Sequence, residues 1–210
     1  MTLTFLLSWL LMPLLAAPNT TTAWQQLPVK ALEAALKGYQ TLIEQGHLPK
    51  GALLALAYLS QPRDRERLYI LDPLHQTVLL TTLVAHGKNS GQRYAGSVSN
   101  SPRSHQSSAG FYLTRGVYRG KHGTALRLHG IEKGINDNAL ARGIVLHGTD
   151  YVNKALANTR GWIGHSQGCP AVSPDISARL IEQLKEHHCL FVYHPSYKLQ
   201  TTRLFNTFAP

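Results

Sequence analysis

Two short segments carry residue types that can do covalent chemistry. One is Ile144-Val145-Leu146-His147-Gly148-Thr149, which sets a histidine at the exit of an apolar run. The other is Gly164-His165-Ser166-Gln167-Gly168-Cys169-Pro170, which sets a cysteine behind a tight, glycine-containing turn. A thiol reacts as its thiolate, and imidazole titrates in the range needed to take its proton near neutral pH. Glycine beside the cysteine lets the backbone approach a carbonyl closely, so the amides of Gly168 and Cys169 are expected to face a developing oxyanion. The residues alone leave other readings open. A histidine at a strand end also fits a satisfied structural role, and a lone cysteine also fits core filler.

Such residues need a scaffold, and the pattern of apolar positions outlines one. Between residues 27 and 43, Leu32, Ala35, Leu36, Tyr39, Leu42 and Ile43 recur at helical spacing, and Gly46 sits where a helix stops. Residues 52–59, 67–72 and 77–85 are short apolar runs bounded by Pro, Asp and Gly, and Asp72-Pro73 reads as the turn of a hairpin. Residues 86–109 are rich in Gly, Ser, Asn and His, a loop long enough to suggest function. Further strands are expected at 111–113, 125–129, 143–147 and 189–194, and a helix at 174–187. The expected fold is mainly β and mostly antiparallel, with two peripheral helices, the first an amphipathic N-terminal one.

Composition sets the outer bounds. The chain has 210 residues, and its 43% apolar content supports a packed core and excludes disorder throughout. Lys plus Arg number 21 against 11 Asp plus Glu, and this excess favours an anionic partner. Charge alone does not choose among nucleic acid, a membrane surface and a wall polymer; no basic helix, finger or stacking motif supports nucleic acid, which is not expected as a partner. Two cysteines exclude a disulfide-dense scaffold; Cys189 is expected as a buried free thiol, with a Cys169–Cys189 disulfide as the alternative. Neither His187-His188-Cys189 nor His147, His165 and Cys169 has a recurrent zinc spacing, so no metal and no cofactor is expected. His187 and His188 are expected at a helix end, where a cation suits the dipole.

Residues 3–15 are nearly all apolar and lead into Ala16, Ala17 and Pro18. They read as a signal peptide over residues 1–17, cut after Ala17 or Ala23, which predicts export and a mature protein without a membrane span. An N-terminal helical extension over 18–50, a catalytic domain over 51–200 and a tail over 201–210 complete the expected layout.

The pattern His147-Gly148 followed by Ser166-Gln167-Gly168-Cys169 resembles the signature of the L,D-transpeptidase catalytic domain, the YkuD-like superfamily. Within it the chain is similar to the subgroup with Ser-x-Gly-Cys-Pro-Ala. The segments Val84-Ala85-His86-Gly87, Ser107-Ser108-Ala109-Gly110-Phe111-Tyr112 and Asn136-Asp137-Asn138-Ala139 extend the likeness over residues 50–195. The resemblance implies that Cys169 is the nucleophile and His147 its base, with the Thr149 carbonyl holding the other ring nitrogen. Gly148, Ser166, Gln167 and Gly168 would position substrate. It further implies acyl transfer on peptidoglycan stem peptides, making 3-3 cross-links in the periplasm or cell envelope, and acylation of Cys169 by carbapenems. An L,D-carboxypeptidase with the same site, a non-catalytic wall-binding module and a basic structural or nucleic-acid-associated protein are the alternatives. Gln167 stands where the wider superfamily has a second histidine. Pro170 stands where many relatives have an apolar residue followed by arginine, so a cation for a substrate carboxylate must come from elsewhere. Lys121, Arg127, Arg142 and Arg160 are the candidates.

Overall fold

The computed structural model describes residues 20–120 and 123–198. The expected signal peptide, Lys121 and the tail at 201–210 lie outside the described residues. Helices α1 (Thr20–Gln25) and α2 (Val29–Glu44) come first. Strands β1 (Leu54–Tyr58), β2 (Leu68–Asp72) and β3 (Thr77–Thr82) follow, then the long strands β4 (Gly110–Gly120) and β5 (Gly123–Gly130). The chain continues through β6 (Val145–Gly148), α3 (Lys154–Arg160), β7 (Ala171–Val172), α4 (Pro174–Leu184) and β8 (Cys189–Tyr193). Among the described residues, eight strands form one sheet in the order β3-β2-β1-β8-β4-β5-β6-β7. Pairing is antiparallel except for β1 with β8 and β6 with β7. No helix of the described residues is long and apolar enough to cross a membrane.

Side chains alternate across a strand, and the central strands show what this does. Leu54 and Leu56 of β1, with Cys189 and Phe191 of β8, pack under Ala31, Ala35, Tyr39 and Leu42 of α2. Ala55 and Ala57, with Leu190 and Val192, pack on the opposite face with Leu180, Ile181 and Leu184 of α4. Both faces are covered, so β1 and β8 read as unbroken apolar runs. The turn between β2 and β3 is held by Asp72, whose Oδ1 accepts from the amides of Leu74 and His75 at 3.0 and 3.2 Å.

Helix α4 ends earlier than expected. Lys185 is extended and Glu186 and His187 adopt left-handed φ values of 61° and 59°, which stops the helix after Leu184. His187 and His188 therefore do not sit in its last turn. His188 instead ties β1 to β4: its Nδ1 accepts from the Leu53 amide at 2.8 Å, and its backbone exchanges hydrogen bonds with Thr114.

A buried carboxyl fastens the chain that leaves β8. Glu132 accepts from the Phe111 amide at 2.5 Å and from the Tyr197 hydroxyl at 2.9 Å. Burial pushes its carboxyl up to about 7, although both hydrogen bonds favour the charged form. The folded state thus holds this proton more tightly than the unfolded chain, whose carboxyl titrates near 4.5. The associated stability is present in acid and is lost as pH rises toward 7. Comparing wild type with Glu132→Gln, the difference in unfolding free energy should change by on the order of 3 kcal/mol across that window. Chemical denaturation at a series of pH values checks this, and parallel curves for the two proteins would refute it.

Candidate active site

Strand β6 delivers His147 and Gly148 at its end, and β7 lies parallel beside it, with His147 opposite Ala171 and Gly148 opposite Val172. Because β7 begins two residues after Cys169, this register carries the cysteine to the same end of the sheet as His147. Gly148 sits where helix α4 starts: a Cβ there would lie 2.5 Å from Ser177 Oγ. The Thr149 amide then donates to Val172 O at 2.9 Å and closes the crossing.

His147 is buried, and its Nδ1 lies 3.0 Å from the carbonyl oxygen of Gly148. A carbonyl only accepts, so Nδ1 carries the hydrogen in this contact and Nε2 is left as the basic nitrogen. This carbonyl is one residue before that of Thr149, the one sequence analysis expected to hold the ring. The Thr149 side chain hydrogen-bonds Tyr151.

The cysteine turn is closed by Ser166, whose hydroxyl donates to Cys169 O at 2.6 Å and accepts from the Gly168 amide at 3.1 Å. The Gly168 amide, expected to face an oxyanion, is thereby engaged within the turn. Gly168 itself has φ 122°, a conformation that side chains resist, and a Cβ there would stand 2.8 Å from Gln106 O. Gly168→Ala is expected to cost roughly 1–3 kcal/mol of stability and to displace the turn. Urea unfolding together with the alkylation rate of Cys169 measures this, and a variant unchanged in both would contradict it.

The long loop at 86–109 braces this turn. The Lys88 amide donates to Ser166 O at 2.8 Å and the Ser166 amide to His86 O at 3.0 Å, while the Ala85 amide donates to Ala171 O at 2.8 Å. Beneath it lies Arg67, fully buried, which donates to the carbonyls of Val84 and Gln61 and to His86 Nδ1 at 2.6 Å. Burial, and then the Arg67 charge, hold His86 down at about 3, so it is neutral at working pH. His165 is likewise lowered, first by burial and then by Arg63, whose Nη1 contacts its ring; its Nε2 faces the carbonyls of Gly91 and Gln92 at 3.1 Å.

His147 and Cys169 line one cleft of about 370 Å³, together with Ser166, Gln167, Tyr118 and Tyr151. Burial raises the Cys169 thiol, while the Val145 backbone and the Arg142 charge act in the opposite sense. At neutral pH this thiol needs a base, and His147 shares its cleft. The candidate cations have other occupations. Arg127 lies over the Tyr118 ring at 4.8 Å, Arg160 over the Trp162 ring at 5.8 Å, and Arg142 is engaged by loop oxygens. Arg67, Tyr118 and Tyr151 did not stand out in the sequence. The one available signal was that Tyr151 follows His147 by four residues.

A family model described as the L,D-transpeptidase catalytic domain matches residues 23–193. No curated protein matches the chain. Similar solved structures include an L,D-transpeptidase from Mycobacterium smegmatis at 14% identity and a TM-score of 0.42, with 68% of this chain and 59% of that chain covered. L,D-transpeptidase 1 of Mycobacterium tuberculosis is 17% identical, with a TM-score of 0.39 and coverage of 68% and 62%. An L,D-transpeptidase from Stackebrandtia nassauensis is 16% identical, with a TM-score of 0.42 and coverage of 85% and 77%. The chain thus spans about 60% of the length of the two mycobacterial proteins.

Proposed function

The chain belongs to the L,D-transpeptidase catalytic-domain family, and from that premise we propose that it is a cysteine acyltransferase acting on peptidoglycan stem peptides in the periplasm or cell envelope. The observation that carries the reading is the meeting of His147 and Cys169 in one cleft, on a turn that Gly168 alone permits.

Nε2 of His147 takes the Cys169 proton, and the sulfur attacks a stem-peptide carbonyl. The Cys169 amide is the expected donor to the oxyanion, since the Gly168 amide is held by Ser166. The C–N bond breaks, His147 returns the proton to the departing D-amino acid, and a thioester remains. An amine of a second stem peptide, that of diaminopimelate, attacks the thioester. It loses a proton to His147, and the thiolate leaves. The product is a 3-3 cross-link. The strongly basic chain favours encounter with carboxylate-bearing peptides.

Incubating the purified mature protein with tetrapeptide muropeptides, with mass analysis of products, tests the proposal. Cross-linked dimers are expected. Release of the terminal residue without dimers would assign water as acceptor and make the protein a carboxypeptidase. An unreactive Cys169 with no product would leave a wall-binding module and overturn the reading.

A further inference from the structure

We propose that Arg142 is the positioning residue of this site: its guanidinium fork shapes residues 99–108 so that they fix the Cys169 turn, and it sets a permanent positive charge behind the sulfur. The inference rests on the reading of Cys169 as nucleophile.

Arg142 immediately precedes Gly143, whose carbonyl lies 3.7 Å from Cys169 Sγ. Its Nη1 donates to Ser99 O at 2.8 Å and to Ser108 Oγ at 2.5 Å. Its Nη2 donates to Ser104 Oγ at 3.2 Å and to Gln106 O at 2.6 Å. The last contact matters most. Gln106 O is the atom that closes on Gly168, 2.8 Å from where a Cβ would be, and Arg142 Nη2 is 3.2 Å from the same point. A chain of contacts therefore runs from the guanidinium through Gln106 and Gly168 to the cysteine.

All four acceptors are neutral oxygens, and among the described residues no carboxylate forms a salt bridge with Arg142. Its charge is held near the thiol without being cancelled. Burial opposes thiolate formation at Cys169, and Arg142 acts against that opposition. The two roles need different properties of the side chain. Shaping the loop needs a planar fork with several fixed donors, which lysine lacks; favouring the thiolate needs only the charge, which lysine keeps.

Site-resolved alkylation of Cys169 by iodoacetamide, read by peptide mass spectrometry from neutral to alkaline pH, separates them when paired with turnover and melting measurements. Arg142→Gln should move the ionisation midpoint up by about one pH unit and slow alkylation at neutral pH roughly tenfold. Arg142→Lys should keep the wild-type midpoint yet lose turnover about tenfold. Full turnover in Arg142→Lys, or an unshifted midpoint in Arg142→Gln, would overturn the inference; if the glutamine variant does not fold, the lysine variant decides alone. Retained turnover in Cys169→Ala would instead sink the nucleophile reading, whatever the alkylation curves show.

Discussion

Replacing Cys169 by alanine should eliminate the covalent adduct formed with carbapenems and reduce turnover on stem peptides by roughly a thousandfold or more, as removal of a covalent nucleophile does. The two cysteines make this a clean test, because their surroundings differ in kind. Cys169 lines a cleft beside a histidine, with a backbone amide and an arginine acting to favour its thiolate. Cys189 begins β8 with no exposed surface, packed under α2 among Phe111 and Phe191, and burial pushes its thiol far up. A thiol so held stays protonated and unreactive. Intact-protein mass spectrometry should show one adduct on wild type, one on Cys189→Ala and none on Cys169→Ala. An adduct that survives in Cys169→Ala and vanishes in Cys189→Ala would show that the wrong cysteine was assigned.

What could be read from the sequence depended on how local its physical cause was. Strands β1 and β8 were legible because each is buried on both faces, so every position is apolar. The outer half of β4 was not: after a bulge between Thr114 and Val117 it leaves the core, and Arg115, Tyr118 and Arg119 give no apolar signal. Strand β7 has two residues and exists only through its pairing with β6 and the bridge to Ala85. Helix α3 did carry its marks. Asn153 caps it by accepting from the Leu156 amide, and Gly161 ends it with φ 68°, but Ala157 is its sole buried residue, too little for periodicity to reveal.

The candidate site divides in the same way. His147 and Cys169 announced themselves as a strand-end histidine and a cysteine after a glycine turn. Their partners did not, because those depend on contacts between distant segments. Arg142 reaches Ser99, Ser104, Gln106 and Ser108 across a loop whose course no local pattern fixes. His147 Nδ1 contacts the Gly148 carbonyl, a partner set by ring orientation and not by spacing.

Removing the imidazole should produce the second large effect, and its pH dependence identifies the cause. His147→Ala is expected to lower acylation of Cys169 near neutral pH by roughly 10²–10⁴-fold, the usual contribution of a general base. The loss should shrink as pH rises. Without a base the thiol must ionise by itself, and burial has moved it above its ordinary value of 9.0. Each step in pH below that raised value increases the thiolate fraction about tenfold, so the variant should gain rate steadily into the alkaline range. Wild type should gain far less, since His147 already supplies the deprotonation. The ratio of the two rates therefore falls with pH if His147 acts on the proton. If it only packed against the turn, the ratio would stay flat, because a displaced sulfur is no better placed at high pH. Adduct formation followed by mass spectrometry, with the melting midpoint of each protein as a control for folding, distinguishes the two. A flat ratio, or a variant as fast as wild type at neutral pH, would remove His147 from the chemistry.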